Sequence, residues 1–245
     1  MPVEAPVMKM RRTAEGALLG RGEGLARRRE LLEKLASSLP GRCAIYPADI
    51  TDSATIAAAA QDYTARFGAP DLVIANAGIS VGTHGDELQD IDKLRRVLEV
   101  NVAGLAATLA AFAPAMRAAG GGTLCGIASV AGFRGIPGAG AYSTSKAAAI
   151  SWLEALRIEL AGSGVSVVTI CPGYIRTPMT AVNKFKMPFL IDVDEAVIRF
   201  ARAIDARTSF TVIPWTMGVA ARILRLIPNC LYDRIFSHMP RKPRQ

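Results

Sequence analysis

Histidine and paired cysteine are what this sequence most lacks. His84 and His238 are its two histidines, and Cys43, Cys125, Cys171 and Cys230 its four cysteines. No two cysteines stand in C-x-x-C spacing, so the pattern does not fit a zinc site. Thiols scattered through apolar segments point to a reducing cytoplasm. No secretory signal pattern opens the sequence, which adds to the expectation of a cytoplasmic location. Long apolar runs are missing too. The longest, VAGLAATLAAFAPAM, has 15 residues and is broken by Pro114, short of the roughly 20 needed to span a bilayer. Acidic residues are fewer than basic ones, 21 against 29, giving a net charge of +8. The excess gathers at the ends, at Arg11, Arg12, Arg21, Arg27, Arg28 and Arg29, then at Arg222, Arg225, Arg234, Arg241, Lys242 and Arg244. A basic balance can mark nucleic acid or anionic membrane. No helix-turn-helix or aromatic RNA-binding signature accompanies it, so no nucleic-acid partner is expected.

What is there is a globular chain. With 245 residues, 51% of them hydrophobic, it can build one α/β domain with a substantial core. The organising stretch is TLCGIASVAGFRGIPGAGAYSTSK, Thr123 to Lys146. It reads as a buried strand running to Ser129, a loop rich in glycine and proline, and the first turns of a helix. Tyr142 and Lys146 are four apart, so they share a helix face. A phenol, an ammonium and a hydroxyl are thereby brought to the C-terminal end of a strand, where open α/β sheets hold their ligands.

Those residue types suit hydride chemistry at a carbinol, which needs a proton moved at the oxygen. A tyrosine can move it if its pKa comes down towards working pH, and a nearby ammonium is expected to pull it down. The serine hydroxyl would hold the substrate oxygen. By chance, Y-x-x-x-K alone would arise about 0.14 times in this composition, and with a serine thirteen positions earlier roughly 0.007 times.

This spacing resembles the short-chain dehydrogenase/reductase family, over roughly residues 25–215. The resemblance implies a Rossmann-like, doubly wound parallel sheet and an oxidoreductase using NADP, with NAD as the alternative, on a small-molecule carbonyl or alcohol. It assigns Tyr142 as general acid/base and Ser129 to the substrate oxygen. Lys146 would tune Tyr142 and bind the nicotinamide ribose. Asn101 would interrupt its helix and hold a water for the proton relay. Around the cofactor it implies Arg27 and Arg28 at an adenosine 2′-phosphate, Asp49 and Ile50 at the adenine, and Asn76, Ala77 and Gly78 beside the dinucleotide. Pro172, Gly173, Ile175 and Thr177 would grip the nicotinamide. The residues leave other readings open. Asp49 can cap the following helix, Thr177 can cap a helix at its T-P pair, and His84 sits in a polar loop as a surface or rim residue.

The opening departs from the family. Residues 1–24 show no buried strand, although family members begin with a strand, a T-G-x-x-x-G-x-G turn and a helix. Gly16, Gly20 and Gly22 imitate the glycine spacing, but no room remains before Arg27 for the 30 or so residues of a βαβ unit. The expectation is a poorly ordered segment 1–24, explained by truncation or an out-of-frame gene reading. A domain 25–215 and an apolar, basic tail 216–245 follow. The alternative function is a non-catalytic chain unable to hold the dinucleotide. From Thr180 to Leu190 the sequence reads as an apolar substrate lid. The tail reads either as a membrane-surface helix giving peripheral membrane contact, or as a cover for the pocket or a dimer contact. The helices around 92–119 and 142–161 are expected to pair across a two-fold axis in a homodimer or homotetramer, with Ala103, Gly104, Ala106, Ala107, Ala110 and Ala111 allowing close approach.

Overall fold

The computed structural model describes residues 7–9, 22–27, 29–38, 43–181 and 186–237. Its elements run Val7–Lys9 (β1), Gly22–Ala26 (β2), Arg29–Ser38 (α1), Cys43–Pro47 (β3), Ser53–Phe67 (α2), Leu72–Ala75 (β4), Ile91–Leu98 (α3), Leu105–Ala118 (α4), Gly122–Ile127 (β5), Gly140–Glu159 (α5), Val165–Pro172 (β6), Pro178–Ala181 (α6), Val193–Asp205 (α7), Phe210–Ile213 (β7), Trp215–Leu226 (α8) and Asn229–Phe236 (α9). β2 and β3 pair in parallel. β4, β5, β6 and β7 pair in parallel in that spatial order.

The middle strands are buried on both faces, which is why they read as largely apolar runs. Val73, Ala75, Leu124 and Val167 pack with Leu105, Leu109 and Phe112 of α4 and Leu153 and Leu156 of α5. On alternate positions, Cys125, Ile127, Val168 and Ile170 pack with Ala196, Phe200 and Ile204 of α7. Period-two alternation in the strands thus feeds two cores at once, and helices cover both faces in the doubly wound arrangement. All the parallel crossovers leave the C-terminal ends of β4, β5 and β6 at one edge.

The first unit corrects the expectation of no strand before Leu25. β1 is three residues long and runs antiparallel to β2, with Val7 opposite Leu25 and Lys9 opposite Glu23, and it lies beside β4. Three residues carry too little pattern to be seen in a sequence. The three-stranded sheet β1-β2-β3 is therefore mixed, and its ladder is separate from that of the parallel strands β4 to β7. β2 begins at Gly22, ahead of the expected boundary at 25, and Leu25 belongs to the main core. Gly22 is paired with Cys43 at the start of β3, the sheet edge opposite Tyr142. Gly16 and Gly20 lie outside the described residues, as does the rest of 1–24 apart from these strands.

Asp49 is not the cap of α2. Asp52 is, accepting the Ala54 and Thr55 N–H groups at 3.1 Å each, because a capping carboxylate must directly precede the first turn it serves. Helical backbone continues from Leu88 to Ala118, with a π-helical turn at Glu99–Gly104. By length and composition this stretch is long enough and apolar enough to cross a membrane. The 15-residue count missed that because charged residues interrupt its first half. Half of its most apolar window is buried inside the fold, however, and α4 packs against the sheet as a core helix. Of the six small residues proposed for close subunit approach, Ala103 and Ala110 are exposed. Gly104 serves the interior instead: a Cβ there would stand 2.8 Å from Ile50 Cγ1.

Candidate active site

β5 delivers the chain to the site between its two neighbours. Gly126 pairs with Ala75 of β4 and Ile127 with Ile170 of β6. Two residues later Ser129, extended at φ −172°, accepts the Ala131 N–H on its Oγ at 3.2 Å and opens a single tight turn, Val130–Gly132. That turn lies directly on α5. A Cβ on Gly132 would meet the carbonyl carbon of Lys146 at 2.7 Å and the Ala147 nitrogen at 2.8 Å. Glycine is therefore required by close backbone approach, and it seats the serine turn on the helix segment that carries Lys146. The sequence marked Gly132 only as a turn residue.

Lys146 is buried, and its Nζ donates to the Ile127 carbonyl at 2.8 Å. The same nitrogen stands 5.8 Å from the centre of the Tyr142 ring. Burial disfavours its charged form and brings its pKa down to about 8, against a smaller opposing effect of Cys171. Tyr142 behaves contrary to expectation. Its burial raises the phenol pKa, and the hydrogen bond with the Ser129 side chain only partly opposes that. The expected downward pull of the ammonium is outweighed because a phenolate loses more by leaving water than it gains here.

Asn101 lies in the π-helical turn and is fully buried. Its Oδ1 accepts the Ile79 N–H at 2.8 Å, and its Nδ2 donates to the Ile79 carbonyl and to Ser145 Oγ, both at 2.9 Å. The side chain is thus a strap joining the segment after β4 to α5. Gly78 lies beside it, where a Cβ would be 3.3 Å from Asn101 Oδ1 and 3.6 Å from Lys146 Nζ. Asn76, Ala77 and Gly78 follow β4 directly onto the same edge.

The remaining expected positions fall along that edge. Arg27 leaves β2 and pairs with Asp49, which leaves β3, at 3.6 Å. Burial works to raise the Asp49 pKa, but hydrogen bonds from the Thr51 N–H and hydroxyl, with the charges of Arg27 and Arg96, hold it below the usual carboxylate value. Ile50 is buried against Gly104. Pro172 closes β6, and the Gly173 N–H donates to the Ile213 carbonyl at 2.8 Å. Ile175 bridges to Ile191. The Thr177 N–H donates to Thr180 Oγ1 at 3.0 Å, so Thr180, marked in the sequence only as the start of the lid, organises this turn. Arg28 lies outside the described residues. His84 is partly buried in its loop, where its N–H donates to the Asp90 carboxylate at 2.8 Å.

Over Ser129 and Tyr142 opens a cavity of about 420 Å³. Thr180, Lys186, Pro188 and Phe189 contribute from the expected lid, with Met179 just before it, Met217, Ala221 and Leu224 from α8, and Tyr232 and Phe236 from α9. The tail is therefore a wall of the pocket. It is fastened by Arg134, from the loop between Ser129 and Tyr142. The guanidinium donates to the carbonyls of Leu224 and of Ile227, the latter at 2.7 Å, and to Asn229 Oδ1 at 2.9 Å, and it stacks 3.7 Å from the centre of the Tyr232 ring. Tyr232 donates in return to the Gly135 carbonyl at 2.6 Å. Arg134 thus satisfies carbonyls at the end of α8 that the break at Pro228 leaves without helical partners. Replacing it with alanine is expected to raise KM for a substrate held in this cavity about tenfold or more, from loss of charged hydrogen bonds worth ~1.5–3 kcal/mol each, with a smaller effect on kcat. Steady-state kinetics checks this; an unchanged KM would show that the wall stands without the clasp.

Comparison with known proteins matches this geometry to a family. The pattern described as short chain dehydrogenase matches residues 16–187. An uncharacterized oxidoreductase of Myxococcus xanthus is 42% identical over 172 residues, covering 69% of this chain and 66% of that protein. Oxidoreductase UcpA of Escherichia coli is 34% identical over 211 residues, covering 78% of this chain and 79% of that one. For the first three curated relatives the matched share of their own length runs from 66% down to 47%. Among solved structures, a short chain dehydrogenase from Burkholderia cenocepacia in complex with NADP superposes with a TM-score of 0.73 at 29% identity, covering 88% of this chain and 85% of that one.

Proposed function

The chain belongs to the short-chain dehydrogenase/reductase family, and from that premise we propose that it transfers hydride between NADP(H) and an apolar carbonyl or alcohol. The observation that carries the reading is the meeting of Ser129, Tyr142 and Lys146 under one apolar-walled cavity at the C-terminal edge of the sheet. Most of the cavity lining is apolar side chain, with Arg134 and Lys186 its charged members, so the substrate should be largely apolar beyond its reacting oxygen. The non-catalytic alternative has no observation in its favour.

The residues fit a nicotinamide dinucleotide. Gly78 is buried between Asn101 and Lys146 with no side chain in the way, the Lys146 ammonium lies beside it, and Arg27 stands at the end of β2 with Asp49 opposite. Arg27 would meet a 2′-phosphate, which is the basis for NADP over NAD. When bound, the reduced nicotinamide supplies the hydride. Tyr142, kept protonated by burial, donates its phenolic proton to the carbonyl oxygen, and in the reverse direction takes it back. Ser129 holds that oxygen by hydrogen bonding and keeps it near the phenol. Lys146 holds positive charge beside the phenol, and Asn101 fixes the spacing between its helix and α5. The subunits would pair through α4 with the turn before it and through α5, where Ala103, Ala110, Ala147 and Ser151 are exposed; light scattering at micromolar concentration should find a dimer or tetramer.

The test is loss of reduced-nicotinamide absorbance with a panel of ketones and aldehydes. Apolar carbonyls should be reduced and carboxylate-bearing ones of similar size should not; the opposite ranking would refute the substrate class. Lys146 also sets a pH dependence. Its folded pKa of about 8 lies below its ordinary 10.5, so the ammonium is present below pH 8 and lost above it. kcat/KM for reduction, which reports the free enzyme, should be flat below that point and fall as pH rises through it. The same sign gives a stability cost that is present below about pH 8 and relieved as pH rises towards 10.5. A reduction rate constant that stays level to pH 9.5 would detach Lys146 from the mechanism.

A further inference from the structure

α8 has two faces with different tasks. Met217, Ala221 and Leu224 face the cavity. On the other face Trp215, Val219, Ile223 and Leu226 are 72%, 45%, 56% and 83% exposed. Their spacing of four, four and three residues makes one continuous apolar stripe along the helix. Arg222 lies within the stripe and Arg225 beside it, both exposed. α9 repeats the pattern, with Leu231 and Ile235 about half exposed and Arg234 next to them. From Phe210 to Gln245 the sequence carries Arg222, Arg225, Arg234, Arg241, Lys242 and Arg244 against a single acid, Asp233.

We propose that the outer face of α8, continued by α9, docks on an anionic lipid bilayer, seating the substrate cavity against the membrane surface. A tryptophan, three aliphatic side chains and flanking arginines are the composition of a helix lying in the interfacial plane. The charge argues for lipid over a second copy of this chain, since a two-fold contact would set these arginines against their own equivalents with one acid per chain to meet them. The cavity supports the same choice. Its apolar walls suit a substrate that partitions into lipid, and α8 alone, about 10 Å across, separates the stripe from those walls. The inference does not rest on the reaction, because docking is read without turnover.

The experiment is flotation of the purified chain with vesicles of phosphatidylcholine alone and with phosphatidylglycerol added, at low and high salt. Binding should appear with the anionic vesicles, weaken several-fold at high salt, and blue-shift the Trp215 emission, a shift absent in Trp215→Phe. The double variant Ile223→Ser with Leu226→Ser should lose about tenfold in partitioning for each side chain, and Arg225→Glu should lose binding to anionic vesicles. None of these residues lines the cavity over Tyr142, so turnover of a water-soluble carbonyl should be unchanged in each variant, which also reports that they fold. Absence of vesicle binding by the parent chain would overturn the proposal. So would a parent oligomer that dissociates in the double serine variant, since that would show the stripe to be a subunit contact.

Discussion

Tyr142→Phe is expected to lower turnover by about 10³-fold, within the ~10²–10⁴ that a positioned proton donor contributes, and to leave the fold intact. Phenylalanine keeps the ring where the side chain is packed into the cavity floor. What it removes is the group whose burial keeps it protonated and whose partner is Ser129. The change in stability should be near the ~1 kcal/mol of one hydrogen bond, readable as a small shift in Tm. KM for the carbonyl should change less than kcat, because the cavity walls contributed by α8 and α9 are untouched. Turnover within tenfold of the parent would remove Tyr142 from the mechanism.

Gly132→Ala is the second large effect, at a residue that touches no substrate. The added methyl would lie 2.7–2.8 Å from three backbone atoms of Lys146 and Ala147. Backbone in the second turn of a packed helix cannot swing away as the tip of a flexible side chain would. The strain falls on the contact between the serine turn and α5, costing ~1–3 kcal/mol by the usual scale of overpacking. It would also move Ser129 relative to Tyr142 and Lys146. Misplacement of reacting groups by about 1 Å can cost on the order of 10²-fold, so kcat should fall by that order while the circular dichroism spectrum is retained. A neighbouring control separates the effect from glycine chemistry in general. Gly135 has open space around its missing Cβ, and Gly135→Ala should leave kcat nearly unchanged. Equal loss in both variants would show that loop flexibility, not backbone contact, is what matters.

The sequence by itself determined the fold class and which residues the candidate site is built from. Ser129, Tyr142 and Lys146 are local to one strand-loop-helix unit, so helix periodicity alone puts the phenol and ammonium on one face. The doubly wound sheet was legible because strands buried on both faces read as near-continuous apolar runs, as LVIA does and as VSVVTIC does apart from Ser166 and Thr169. The tertiary structure alone decided the rest. β1 is too short to carry a pattern, and its antiparallel direction comes from pairing with β2. The α2 cap turned on register, choosing Asp52 over Asp49. The pKa direction of Tyr142 turned on burial, which spacing cannot report. The pocket wall turned on Arg134 reaching residues about ninety positions away. Periodicity records which face of an element is buried, whereas contacts between distant segments are set by packing and leave no local trace in the chain.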